Sequence, residues 1–163
     1  MAAIIAKLRL APAVVTTFSL SGDNHQPDGL TVEAERTLEM MAAYRDFYDF
    51  ANAMGVYDEC LYATLTVFGR TMNERGNGRG HNRNLATGLI AGRHLNRTVV
   101  GGIDPNEPSG QSLPFNSATG GTDDPDVSVD DSFAAYAKSV MKAAGVPDDR
   151  LDVRFRDVPA VAL

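Results

Sequence analysis

The sequence predicts one α/β layered domain, residues 1–163, in which a small, mostly parallel sheet is flanked by helices. Three observations carry that reading. The elements follow the order strand, long helix, strand, loop, strand, helix, as in layered α/β domains with right-handed crossovers. The run Leu61–Phe68 is apolar almost throughout, as a strand covered on both faces should be. Two strand-to-loop junctions share one build: Val14–Leu20 enters Ser21-Gly22-Asp23-Asn24-His25, and Leu61–Phe68 enters the loop from Gly69-Arg70-Thr71 to Gly80-His81. Open parallel sheets bind ligands at the carboxyl ends of their strands, so both junctions are expected side by side at one sheet edge.

The elements are justified in chain order. Ala2–Leu10 places Ile4, Ile5 and Leu8 on one helical face and must stop before Pro12, which disfavours helix at the preceding residue. Ala13–Leu20 is rich in Val, Thr and Phe and is expected to be a strand. Ser21–Gly29 is a polar loop. Thr31 is expected to cap a long helix with Glu33 and Glu35 in its first turn, and Gly55 to end it. Leu38, Met41, Tyr44, Tyr48 and Ala51 recur at helical spacing and predict a core-facing stripe. Beyond the strand Leu61–Phe68, further strands are expected at Leu85–Ala91 and Val99-Val100. Gly101–Pro125 is rich in Gly, Pro, Ser and Asp, lacks periodicity and predicts a long loop, functional or disordered. Ser128 is expected to cap a last helix whose apolar face is Phe133, Ala137, Val140, Met141 and Ala144, closed by Gly145 and Pro147. Leu151–Phe155 alternates apolar and charged residues, which suits an edge strand. So few strands, against an average of about five or six, leave room for a second chain to complete the sheet.

Composition narrows the function. The apolar share of 44% and charged share of 22% are those of a soluble globular protein. A net charge of −6 argues against nucleic acid and anionic membranes as partners. The single Cys60 excludes an internal disulfide and a zinc–thiolate cluster, and is expected as a small hydrophobe at the start of a buried strand. No apolar run reaches the about 20 residues of a membrane helix. Lys7 and Arg9 interrupt the amino-terminal apolar stretch, so no export signal is expected in this chain.

Chemistry-bearing residues gather at the two junctions. In extended backbone Asp23 and His25 project to one face, and a carboxylate with an imidazole suits zinc, manganese or iron. The same residues equally suit an Asx-type turn and an exposed imidazole. His81 stands in a Gly-rich loop, which is explained either by a close backbone approach or by a surface loop. His94, beside a strand end, has the setting of a surface residue. Asp23, His25 and His81 are therefore the candidate ligands of one divalent ion. Arg70 is the candidate anion contact, because a guanidinium fork matches phosphate and sulfate oxygens, or else forms a buried pair with a carboxylate.

Three motifs in order, Ser21-Gly22-Asp23-Asn24-His25-Gln26, Thr66-Val67-Phe68-Gly69-Arg70-Thr71 and Asn77-Gly78-Arg79-Gly80-His81, resemble a family pattern. Gln111-Ser112-Leu113-Pro114 and the segment Phe133–Val146 resemble its closing part. The family is the bacterial domain of unknown function family 1501, usually twin-arginine-exported to the periplasm, within the alkaline phosphatase-like (sulfatase-like) superfamily. Its pattern is a strand ending in Gly-(aromatic)-Asp-Thr-His, a long helix, a strand ending in Ser-Glu-Phe-Gly-Arg, then an Asn-Gly loop with Thr-Asp-His-Gly. The likeness covers most of this chain and the carboxyl-terminal half of the family. It implies part of the alkaline phosphatase-like fold and metal-dependent hydrolysis of phosphate or sulfate esters. Val67 and Gly80 stand where the family has metal-holding carboxylates. The resemblance thus implies a partial or impaired copy, its sheet completed by a missing amino-terminal half or a second chain; a homo-oligomer is a separate expectation.

Two other functions compete with that of a hydrolase portion. One is a non-catalytic binding or assembly subunit that keeps the fold, which Val67 and Gly80 favour. The other is a mononuclear iron or manganese enzyme using Asp23, His25 and His81 as a two-His, one-carboxylate set. The long helix from Thr31 to Met54 speaks against the usual jelly-roll scaffold of the latter.

Overall fold

In a computed structural model of the protein an Ala- and Ile-rich run forms α1, Ala2–Lys7, and a run rich in Ala, Glu and Met forms α2, Gly29–Ala53. The structure describes residues 2–11, 13–15, 29–64, 69–72, 78–92, 95–96 and 99–163. The chain divides into two units, Met1–Cys60 with Glu74–Gly80, and Leu61–Asn73 with His81–Leu163. No helix among the described residues is long and apolar enough to cross a membrane.

In the first unit both helices end in the same way. The Leu10 N–H reaches the Ile5 carbonyl and the Arg9 N–H that of Ala6, while Val56 bonds Ala51 and Gly55 bonds Asn52. These paired bonds satisfy carbonyls that a helix end leaves open, and they require a left-handed residue at the turn. That residue is Gly55 (φ 66°) after α2, as the sequence predicts, but Arg9 (φ 52°) after α1. α2 starts two residues before Thr31, which therefore lies inside the helix instead of capping it. A short 3-10 turn, Tyr57–Glu59, follows.

Ala3, Ala51 and Val56 form this unit's buried cluster, against Phe47, Met54, Tyr57 and Cys60. The Tyr44 and Tyr57 hydroxyls lie 3.1 Å apart, and the Tyr48 ring meets Tyr57 edge-on at 4.7 Å. Bonding to Tyr44 and burial push the Tyr57 hydroxyl up to about 12. Burial, then the charge of Glu59, raises the half-buried Cys60 thiol. The predicted core-facing stripe on α2 is corrected in part: Ala51 is buried, but Leu38, Met41 and Tyr48 are exposed. α2 is a long helix whose packing against α1 and the 3-10 turn covers only its carboxyl-terminal half.

The second unit contains three two-stranded sheets among the described residues, and all three are antiparallel. β1 (Tyr62–Ala63) and β2 (Gly69–Arg70) are followed by β3 (His81–Asn82), β4 (Ile90–Ala91), β5 (Gly102–Ile103) and β6 (Ser112–Leu113). β1 pairs with β4, β2 with β3, and β5 with β6. The expected α/β mixture of helices and sheet is present, but the mostly parallel sheet is corrected. Ten residues separate β2 from β3 and eight separate β5 from β6, fewer than the dozen or more that a parallel crossover needs. The strand predicted at Leu61–Phe68 is Tyr62–Ala63 within the described residues, and 65–68 lie outside them. Of Leu85–Ala91 the strand is Ile90–Ala91, and Val99-Val100 is not a strand. The predicted strand Ala13–Leu20 is described only at 13–15, which form no regular element. The loop predicted at Gly101–Pro125 contains the β5–β6 pair, and the bridge Phe115–Val127 crosses its far end.

Helices α3 (Ser132–Ala143) and α4 (Asp148–Arg154) complete this unit. Ser128 does not cap α3; its hydroxyl accepts the Asp131 N–H at 3.1 Å and so shapes the turn before the helix. The predicted edge strand Leu151–Phe155 is instead largely helix α4. Pro147 precedes its first turn, Asp148 and Asp149 lie within that turn and Arg154 closes it, the charge order a helix dipole favours. Short-range alternation and one helical turn look alike over five residues, and the buried Leu151 decides for the helix.

Phe115, Val127, Ala135 and Val161 form the core here, joined by Val158 and Leu163. α3 does not bury its predicted apolar face: Phe133 and Met141 are exposed, whereas Ala135, Lys138 and Ser139 are buried. The Lys138 ammonium donates to Asp152 Oδ1 (2.8 Å) and to the carbonyls of Phe155 (3.2 Å) and Val158 (2.8 Å). The Val161 N–H donates to Ser139 Oγ at 2.7 Å, and the Ala162 N–H to the Ser117 carbonyl at 3.0 Å. Polar side chains thus seat an apolar tail whose backbone could not otherwise be buried. The Tyr136 hydroxyl bonds the Thr64 carbonyl at 2.5 Å and ties α3 to the β1–β4 pair.

Candidate functional site

Arg70 and His81 are direct partners in the β2–β3 ladder. Residues opposite one another in an antiparallel pair carry side chains on one face, with Cβ atoms about 5 Å apart. The two are eleven positions apart in sequence, and backbone pairing brings them together. Arg70 is half-buried and His81 is exposed. A guanidinium and an imidazole on one face can together donate hydrogen bonds to a tetrahedral oxyanion.

Close packing decides the residue beside Arg70. A Cβ built on Gly69 would lie 1.2 Å from the Leu85 carbonyl oxygen. Only glycine lets the Leu85 backbone cross there, so the Gly-Arg junction is a close-approach site as well as a strand end. Thr71 is buried, and the Met72 N–H donates to the Ser109 carbonyl at 2.9 Å. Asn82 Nδ2 donates to the carbonyls of Ser109 (3.1 Å) and Gly110 (2.6 Å), while its Oδ1 accepts the Asn84 N–H at 3.0 Å. The loop 104–111 therefore lies against the pair. It is shaped internally by Asp104, which accepts the Asn106 N–H at 2.8 Å, and Glu107, which accepts the Ser109 N–H at 3.2 Å.

The other predicted site residues are placed as follows. Asp23 and His25 lie outside the described residues, as do His94 and Val67, so the expected gathering of Asp23, His25 and His81 falls partly outside them. Among the described residues no group of three His, Cys, Asp or Glu side chains could hold a metal ion. Of the central arginines, Arg79 Nε lies 2.9 Å from Glu33 Oε2 on α2 and belongs to the first unit. Its charge is engaged by a helix carboxylate. Arg83 is exposed in the turn after β3, and Arg75 lies outside the described residues.

Sequence reasoning did not single out Asn82, and the Asn-rich composition of the loop was the only signal. It also missed the Ser117–Asp126 contact, in which the Ser117 N–H and hydroxyl both donate to one carboxylate at 2.6 Å. These bonds, led by that of the hydroxyl, hold the Asp126 carboxyl below its ordinary value. No protein-family model matches the chain, and neither a curated protein nor a solved structure matches it.

Proposed function

We propose that this chain is the metal- and anion-binding portion of a phosphatase- or sulfatase-like hydrolase, incomplete as a catalyst by itself. The cross-strand placement of Arg70 and His81 is the observation that supports this reading. Arg70 steadies the anionic ester group through its fork of N–H donors, while the three sequence motifs, and not the geometry, nominate Asp23, His25 and His81 as donors to one divalent ion. That donor set fits zinc, and manganese or iron are also compatible with it. When bound, such an ion polarises an ester oxygen or lowers the pKa of water. A two-metal clamp on both attacking and leaving oxygens needs more ligands than these three residues provide, which is why the chain alone is expected to be a poor hydrolase. The alkaline phosphatase-like fold belongs to this proposal and rests on the three sequence motifs.

The purified chain, loaded with zinc or manganese, is assayed on aryl phosphate and aryl sulfate esters, with elemental analysis and anion titration alongside. The expected result is about one ion per chain, weak anion binding that Arg70→Ala removes, and little turnover. Robust turnover abolished by His25→Ala would overturn the incomplete-catalyst reading. Absence of both metal and anion binding would favour the second reading, a non-catalytic binding or assembly subunit, which Val67 and Gly80 support by lacking carboxylates.

A further inference from the structure

Among the described residues the β2–β3 ladder pairs two residues with two, and an isolated two-stranded ribbon of that length is marginal in water. An Arg–His constellation on so short a ladder needs an external hold to keep its geometry. The structure supplies one in the residue that follows His81. Asn82 is half-buried and uses both ends of its amide on backbone groups: Nδ2 on the Ser109 and Gly110 carbonyls, Oδ1 on the Asn84 N–H. The Ser109 carbonyl also accepts the Met72 N–H, two residues beyond Arg70. One loop carbonyl is thus bonded from both sides of the pair. The Asn84 carbonyl in turn accepts the Ser112 N–H at 2.7 Å, which ties the turn after β3 to β6.

We infer that Asn82 is the positioning residue that holds His81 opposite Arg70, by clamping the β2–β3 pair to the loop 104–111. Its consequence for anion binding rests on the reading proposed above, whereas the positional role can be tested without it. The role is specific to a carboxamide. Two donors and one acceptor are needed at one side chain of this length, and a carboxylate of the same shape has no donor and would face two carbonyl oxygens. Loss of the clamp leaves the core cluster of Phe115, Val127, Ala135 and Val161 intact, because Asn82 is not part of it.

The test compares wild type with Asn82→Asp and Asn82→Ser by NMR of the full chain. Cross-peaks between the His81 ring protons and the Arg70 side chain are read first, then the displacement of His81 resonances by inorganic phosphate. His81→Gln assigns the ring signals. In both variants the Arg70–His81 cross-peaks are expected to vanish while Phe115–Val127 cross-peaks persist, and phosphate affinity to fall on the order of tenfold. Retained Arg70–His81 cross-peaks in Asn82→Asp would overturn the proposal, since mere space-filling survives that change. Loss of the Phe115–Val127 cross-peaks in both variants would also overturn it, by making Asn82 a requirement of the whole unit. If wild-type His81 ignores phosphate, the proposed function fails, and the cross-peaks still judge Asn82.

Discussion

At the scale of single residues, backbone conformation and hydrogen bonding to one carboxylate set the sharpest expectations. Gly145 (φ 85°) and Gly55 (φ 66°) end α3 and α2 with nothing within 4 Å of a built Cβ, so substitution there meets conformational strain alone. Gly145→Ala is expected to lower stability by about 1 kcal/mol in urea unfolding, the cost of a left-handed non-glycine residue. Arg9 carries the same strain after α1. Arg9→Gly should leave stability equal or slightly higher, because relief of about 1 kcal/mol opposes a similar gain in unfolded-chain entropy. The exposed Arg9–Glu59 pair at 3.5 Å contributes too little to change that outcome. Asp126 gives a pH dependence. Its folded-state value is depressed, so its contribution is present above the ordinary carboxylate value of 3.8 and is lost as pH falls through the depressed one. Wild type should exceed Asp126→Asn in urea midpoint at pH 7, with the gap narrowing on acidification below about pH 4. A gap that stays constant with pH would assign the effect to packing.

At the scale of elements, α3 illustrates how a charged residue can face inward. The Lys138 side chain is only 9% exposed, while its partner Asp152 keeps 59% exposure. The carboxylate is therefore solvated whether or not the lysine is present, and the two carbonyls on Lys138 are the groups that lose a partner. Lys138→Met, which keeps the apolar stem, should lower stability by about 1–3 kcal/mol by taking the ammonium from the Val158 carbonyl, while the Phe155 carbonyl keeps the Val158 N–H at 3.2 Å. Asp152→Asn should cost less than about 1 kcal/mol, as for other solvent-screened pairs. Equal losses in thermal unfolding of the two variants would show that the ion pair, and not the carbonyl contacts, carries the interaction.

At the scale of the whole molecule, ligand binding and stability are linked. An anion that binds only the folded chain stabilises it by RT ln(1 + [L]/Kd), about 2.7 kcal/mol at a hundredfold excess over Kd. Sulfate also raises stability generally by exclusion from protein surfaces, so the informative quantity is the difference between variants. Phosphate and sulfate should raise the wild-type Tm more than that of Arg70→Ala, whereas chloride at matched ionic strength should not separate them. Identical shifts in both proteins would remove Arg70 from the anion site and leave it a structural role.

Helices α1, α2 and α3 and the glycine ends of α2 and α3 were legible along the chain because the causes are local, whereas α4 and the amino-terminal caps were not. Gly55 and Gly145 announce left-handed turns, and the composition of α1 and α2 announces helix, whatever surrounds them. Arg70 and His81 could be nominated from residue type and their motif, but not paired. Which strands pair, and in which direction, depends on contacts between distant segments. Alternation over two residues per strand carries no information on register. The inward face of α3 was decided the same way. Phe133 and Met141 are more apolar than Lys138, yet the carboxylate and carbonyls around the Lys138 ammonium exist only once α4 and the tail are in place. Asn82 was silent for the same reason: its partners Ser109 and Gly110 lie 27 and 28 positions away, and only folding brings a carboxamide to those carbonyls.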